Sequence, residues 1–165
     1  MLETLPPLAR FVFRGNPAAL GVPATPLRAT RQGERIALWQ GPDEWLLLQP
    51  EAAPAPQVLA GALVDVSLHG GRLRRAGEPQ VLAGALVDVS HRQIALALHG
   101  VEAEIRLNAA CPLDLSEAAF PVDMTTRTMF AKADITLWRT APDRFHIEVA
   151  RSFADYVVGI LQLSV

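Results

Sequence analysis

Between Leu86 and Gly100 the chain reads Leu-Val-Asp-Val-Ser-His-Arg-Gln-Ile-Ala-Leu-Ala-Leu-His-Gly. Val87 and Val89 alternate with Asp88 and Ser90, the period-two pattern of a half-buried strand, and Ile94, Leu96 and Leu98 continue an apolar alternation on the opposite parity. A slip of one residue moves a hydrophobic set to the other face of a sheet. The pattern therefore predicts a central strand with a bulge or tight bend at Ser90-His91-Arg92, closed by Gly100.

Two further stretches share a plan. Ile36-Ala37-Leu38-Trp39 and Glu44-Trp45-Leu46-Leu47-Leu48 flank Gln40-Gly41-Pro42-Asp43, which predicts a β-hairpin. About a hundred residues on, Ile135-Thr136-Leu137-Trp138 and Arg144-Phe145-His146-Ile147-Glu148-Val149 flank Arg139-Thr140-Ala141-Pro142-Asp143. Equating Trp39 with Trp138 makes the second loop one residue longer. The second hairpin leads into a predicted helix over Ser152–Leu161, with Ser152 as N-cap, Asp155 at the capping-box position, and Phe153, Val157, Ile160 and Leu161 on one face. By analogy a helix in the first half is expected within residues 53–66. Two hairpins that merely share common turn chemistry are the alternative.

Pro56–Ser67 and Pro79–Ser90 are the same twelve residues, Pro-Gln-Val-Leu-Ala-Gly-Ala-Leu-Val-Asp-Val-Ser. Solenoids need three or more copies, so a pair reads as a local duplication rather than an architecture. The second copy is expected to be strand over Leu86–Val89, whereas Val58, Leu59, Ala62, Leu63 and Val66 of the first also make a helical stripe. Val101–Asn108 predicts a short helix, and Thr126–Phe130 and Ile135–Trp138 predict strands. Residues 1–34, with five prolines and an apolar knot at Phe11-Val12-Phe13, are expected to form an arm wrapping the domain at 35–165.

Length and composition bound the answer. With 165 residues, 50% of them hydrophobic, one core suffices without a metal or disulfide staple. A net charge of -2 argues against a nucleic-acid-binding surface, and no apolar run approaches membrane-spanning length. The single Cys111 rules out an internal disulfide. With no basic-then-apolar leader, a cytoplasmic protein is the expectation.

Candidate chemistry is sparse. Ser90 and His91 are adjacent on a predicted strand, so they point to opposite faces and cannot exchange a proton directly. His69, His91, His99 and His146 show none of the short metal-ligand spacings. Asp88 within a strand needs partners, which amides at the Ser-His-Arg bend or Arg92 would supply. Cys111 has no adjacent cation to activate its thiol and reads as buried and inert. Arg127 and Lys132 could steady an anion or serve as solvated surface charge. Trp39, Trp45 and Trp138 read as core or interface bulk. The residues by themselves predict an α+β domain, compact and single, of two hairpin-helix halves around a mostly antiparallel sheet, with no assembled active site.

Several runs together carry a resemblance: Leu38–Leu48, Val87-Asp88-Val89-Ser90-His91-Arg92-Gln93, Cys111-Pro112-Leu113-Asp114-Leu115, Ala131-Lys132-Ala133 and Arg151–Tyr156. In this order they resemble the gamma subunit family of heterotetrameric sarcosine oxidase, over roughly residues 10–162. More distantly, the Asp-Val-Ser-His run with Ile94–Ala103 after it resembles the opening of the folate-binding domain of glycine-cleavage aminomethyltransferases, implying that fold. The resemblance implies a non-catalytic subunit docked on larger alpha and beta subunits. The complex would demethylate sarcosine oxidatively to glycine, with tetrahydrofolate accepting the one-carbon unit and hydrogen peroxide formed. FAD, FMN, NAD and tetrahydrofolate would sit on the other subunits, and none on this chain. In the transferases an Asp-Asp pair supplies the carboxylate that acts on folate; here that pair is Ala133-Asp134. Asp134 is thus the cofactor-binding candidate if the chain is instead a stand-alone folate-binding or one-carbon transfer protein. A structural subunit of another amine-oxidising complex, and a homodimer when the chain is expressed alone, are the remaining alternatives.

Overall fold

The structure is a computed structural model, and it describes residues 1–21, 25–56 and 84–163. Among the described residues ten strands pair, every pairing antiparallel, into two five-stranded sheets. In chain order they are β1 (Leu2–Thr4), β2 (Leu8–Gly15), β3 (Ala29–Gln32), β4 (Arg35–Gly41), β5 (Glu44–Pro50), β6 (Gly84–Asp88), β7 (Gln93–His99), β8 (Thr125–Phe130), β9 (Ala133–Ala141) and β10 (Arg144–Ala150). One sheet runs β3-β4-β5-β2-β6 and the other β1-β7-β10-β9-β8. Among the described residues two helices complete the α+β fold, α1 (Ala103–Asn108) and α2 (Ala154–Leu163).

The predicted central strand is two strands. Gly84–Asp88 pairs with β2 in one sheet and Gln93–His99 pairs with β1 and β10 in the other. The bend expected at Ser90-His91-Arg92 is a 3-10 turn that carries the chain between sheets. This explains the change of parity more simply than a bulge, because each strand answers to a different core. Residues 1–34, expected as an arm, supply β1, β2 and β3, and β2 lies between β5 and β6.

The halves correspond closely. β2 to β5 repeat as β7 to β10, and β1 is to the second sheet what β6 is to the first, so each half lends its leading strand to the other's sheet. The registers fix the equivalences: Arg14 pairs with Glu44 as His99 pairs with Arg144, and Phe11 pairs with Asp88 as Leu96 pairs with Thr4. Details outside the ladders obey them too. Val89 donates its N–H to the Arg10 carbonyl at 2.8 Å and Leu5 to that of Ala95 at 2.9 Å. Gly15 donates to Asp43 and Gly100 to Asp143, while Ala29 donates to Asp123 and Thr125 to Leu27. The paired acceptors Leu27 and Asp123 even share a left-handed backbone, at φ 58° and 66°.

This corrects the hairpin comparison. Both hairpins close on Pro-Asp between Gly41/Glu44 and Ala141/Arg144, with a register irregularity at the same end, so the loops are equally long. Trp39 corresponds to Arg139, and Trp138 corresponds to Leu38.

One face of the β7-β10-β9 sheet presents Leu96, Leu98, Leu137, Phe145 and Ile147 to the core that α1 and α2 cover. The opposite parity of the same strands, with Trp138 at its centre, meets Leu38, Leu46 and Leu48 of the other sheet. β5 and β10 are buried on both faces, which is why their sequences run apolar without clean alternation. The outer face of the β4-β5-β2 sheet gathers Phe11, Phe13, Trp45 and Leu47.

The helices differ in detail from expectation. α1 buries Ala103 and Leu107, one turn apart, and leaves Ile105 71% exposed. The chain leaves β10 through a 3-10 turn over Arg151–Phe153 with no side-chain capping bond, so Ser152 caps nothing there. α2 then buries Ala154, Val157 and Leu161, and Phe153 stays exposed. The helix expected within 53–66 falls largely outside the described residues, as does the first copy of the dodecapeptide beyond Pro56; residues 53–56 are not helical.

Candidate functional site

Polar side chains collect between the sheets, where two cores leave them no bulk water. Arg10 on β2 reaches across to Glu148 on β10, Nε to Oε2 at 2.6 Å and Nη2 to Oε1 at 3.4 Å. Their side chains are 3% and 0% exposed. His146 Nε2 lies 2.8 Å from Glu148 Oε1, and its ring tilts against Trp138 with centroids 5.6 Å apart. Arg10 also donates to the Leu8 carbonyl at 2.9 Å. A buried carboxylate is costly unless paired and hydrogen-bonded, and Glu148 is both.

Beside this bridge opens a cavity of about 230 Å³. Thr136 and Glu148 from β9 and β10 line it together with Gln40 from β4, and Arg92, Arg127, Glu44 and Asp134 also contribute to its walls. Gln40 occupies the irregular position of its hairpin. There its Oε1 accepts from Thr136 Oγ1 at 3.2 Å. Among the described residues the buried Gln40 Nε2 and Gln93 Oε1 have no hydrogen-bond partner. Both glutamines line the cavity, while each orphan atom is itself turned away from open space.

Asp134 is therefore a cavity residue, as is Arg127, whose Nη1 lies 4.0 Å from Glu44 Oε1. Lys132, in the turn before β9, is not among the walls. At about 230 Å³ the cavity is smaller than the 300–1,000 Å³ typical of pockets that enclose a drug-sized ligand.

The other candidates are dispersed. Ser90 Oγ donates to Asp88 Oδ1 at 2.7 Å and accepts from the Arg10 N–H at 2.8 Å, while Ser90 N–H also donates to Asp88 at 2.8 Å. Asp88 thus finds its partner at the bend, and Ser90 is engaged by backbone and carboxylate rather than by His91. Cys111 is buried against Thr128, sulfur to hydroxyl 4.0 Å. His69 lies outside the described residues, among which no cluster of His, Cys, Asp or Glu could hold a metal ion. No helix of those residues is long and apolar enough to cross a membrane.

Comparison with known proteins decides the family: the model of the sarcosine oxidase, gamma subunit family matches residues 12–164. The chain belongs to that family. It is 33% identical to the sarcosine oxidase subunit gamma of Corynebacterium sp. strain P-1 over 92% of this chain and 64% of that one. The corresponding subunit of Corynebacterium sp. strain U-96 is 32% identical over 87% and 60%. The chain thus spans about three-fifths of the length of these gamma subunits. Its fold matches a chain in a solved structure described as heterotetrameric sarcosine oxidase from Corynebacterium sp. U-96 in complex with pyrrole 2-carboxylate. The TM-score is 0.73 and the identity 23%, covering 99% of this chain and 82% of that one. The five sequence runs that carry the gamma-family resemblance all lie within the matched span.

The buried bridge and the amides of Gln40 and Gln93 give no sequence signal. Arg10 and Glu148 stand 138 positions apart, and glutamines in strands look like ordinary surface residues.

Proposed function

We propose that this chain is the gamma subunit of a heterotetrameric sarcosine oxidase, contributing surface rather than reacting groups to larger alpha and beta subunits. The supporting observation is the family match across residues 12–164, combined with a fold that superposes on a chain of such a complex over nearly its full length. The complex would take sarcosine to glycine, with flavins and NAD on the larger chains, tetrahydrofolate accepting the one-carbon unit and oxygen leaving as hydrogen peroxide. Exposed apolar side chains suit a docked subunit: Val101 and Ile105 are 93% and 71% exposed, and Phe153 and Tyr156 form an exposed edge-on pair.

Affinity capture of the tagged full chain from its native host tests this. Recovery of large flavin-bearing chains that oxidise sarcosine, with the purified chain alone colourless and inactive, is the expected result. Recovery only as a free monomer, or with an oxidase that ignores sarcosine, would reject it.

A further inference from the structure

The internal two-fold relates more than strands. A second cavity, of about 410 Å³, is lined by Arg31, Trp138, Thr140, Arg144 and His146, with Leu5, Ile36 and Ala97 as apolar wall. By the register equivalences Thr140 corresponds to Gln40, His146 to Leu46, Ile36 to Thr136 and Ala97 to Val12, all walls of the first cavity. Arg31 corresponds to Arg127 and Arg144 to Glu44. The two cavities occupy equivalent places in the two halves.

Their charges have diverged. Where Arg127 faces the Glu44 carboxylate at 4.0 Å in one cavity, the other sets Arg31 and Arg144 at the same two positions, and among the described residues no acidic one is in its walls. The guanidinium of Arg31 lies over the Trp138 ring, 5.0 Å from its centroid. Trp138 is 2% exposed, and its indole N–H has no hydrogen-bond partner among the described residues. Arg144 is drawn to Glu3 at 2.9 Å, a contact between two half-exposed side chains in which the carboxylate comes from outside the cavity wall. The cavity offers two cations against apolar surface, and its described walls lack the negative charge that its counterpart carries.

We propose that this second cavity binds a small organic carboxylate. Its charged end would lie between Arg31 and Arg144 and supply the negative charge that Glu44 supplies in the other half, and its apolar body would lie against Ile36, Ala97 and the Trp138 ring. Bidentate geometry makes guanidinium groups the natural partners for a carboxylate, and the volume lies within the range of small-molecule sites. The apolar wall favours an organic acid over an inorganic anion.

Calorimetric titration of the full chain with benzoate, against its neutral isostere benzamide, tests the assignment. Saturable benzoate binding, weakened by salt and much tighter than that of benzamide, is expected. Arg31→Met and Arg144→Met, checked for folding by circular dichroism, should each weaken it roughly tenfold or more. Glu3→Gln, which frees Arg144 from its competing carboxylate, should tighten binding. Glu44→Gln, in the other cavity, should leave it unchanged. In nitrogen-resolved NMR the indole N–H signal that disappears in Trp138→Phe should shift with benzoate. Absence of saturable binding, equal binding of benzamide, or unchanged affinity in folded Arg31→Met and Arg144→Met would each overturn the proposal.

Discussion

Replacing Arg10 by methionine keeps most of the side chain's bulk and removes its charge, stranding Glu148 with His146 alone. Breaking one partner of a buried ion pair costs about 3–5 kcal/mol, because it leaves a buried charge under-compensated. Against the 5–15 kcal/mol that is typical of a whole domain, that is a large fraction. At roughly 2–4 °C per kcal/mol for a chain of this size, the midpoint should fall by about 6–20 °C. The molecule supplies its own control: by the internal two-fold Arg10, His146 and Glu148 correspond to Ala95, Leu46 and Leu48, all buried and apolar. The triple variant Arg10→Met, His146→Leu, Glu148→Leu should therefore recover most of the loss, within about 1–2 kcal/mol of the parent, since apolar replacement of a complete buried pair is often neutral or stabilising. Urea unfolding followed by tryptophan fluorescence, with thermal scans alongside, measures both. A single variant costing under about 1 kcal/mol, or a triple variant no better than the single, would refute the reasoning.

Smaller features yield further expectations. A methyl group on Gly84 would sit 2.3 Å from Phe13 Cε2 and 2.6 Å from the Arg14 carbonyl oxygen, so Gly84→Ala should cost about 1–3 kcal/mol in urea unfolding as β6 is pushed from β2. Asp88→Ala removes the acceptor for both the amide and the hydroxyl of Ser90 and should cost about 1 kcal/mol, measured the same way. The Ser116 amide, and secondarily its hydroxyl, hold the Asp114 carboxyl below the usual carboxylate range. Its small contribution to stability is present above the unfolded-state pKa and fades as pH falls through the lower folded value. Carbon-detected NMR titration should show Asp114 titrating low, with Ser116→Ala moving it only part of the way back.

The hairpins are legible because a Pro-Asp turn between apolar runs is local chemistry, and both form where the pattern puts them. Their mutual alignment is obscured by tryptophan: Trp39 and Trp138 share a letter, whereas the equivalence runs through Pro42-Asp43 and Pro142-Asp143. The parity break at Ser90 is visible in the pattern but its cause is not, since periodicity cannot say whether a chain that changes face stays in its sheet. Ser152 has the chemistry of a cap, but the chain leaves β10 in a 3-10 turn that has no side-chain capping bond. Asp134, singled out by the resemblance to the transferases' Asp-Asp pair, lines a cavity. Gln40 and Gln93 beside it are invisible in the sequence, because a glutamine matters only once folding has buried its amide.

The mutual loan of β1 and β6 has a temporal side. As the chain leaves the ribosome, the sheet built on β2 to β5 keeps an open flank until residues 84–88 emerge, while β1, made first, waits for a partner strand ending at His99. Neither half can close its edges alone, so maturation is gated by synthesis of the middle of the chain, and a product stalled before residue 84 would present a bare strand to its neighbours.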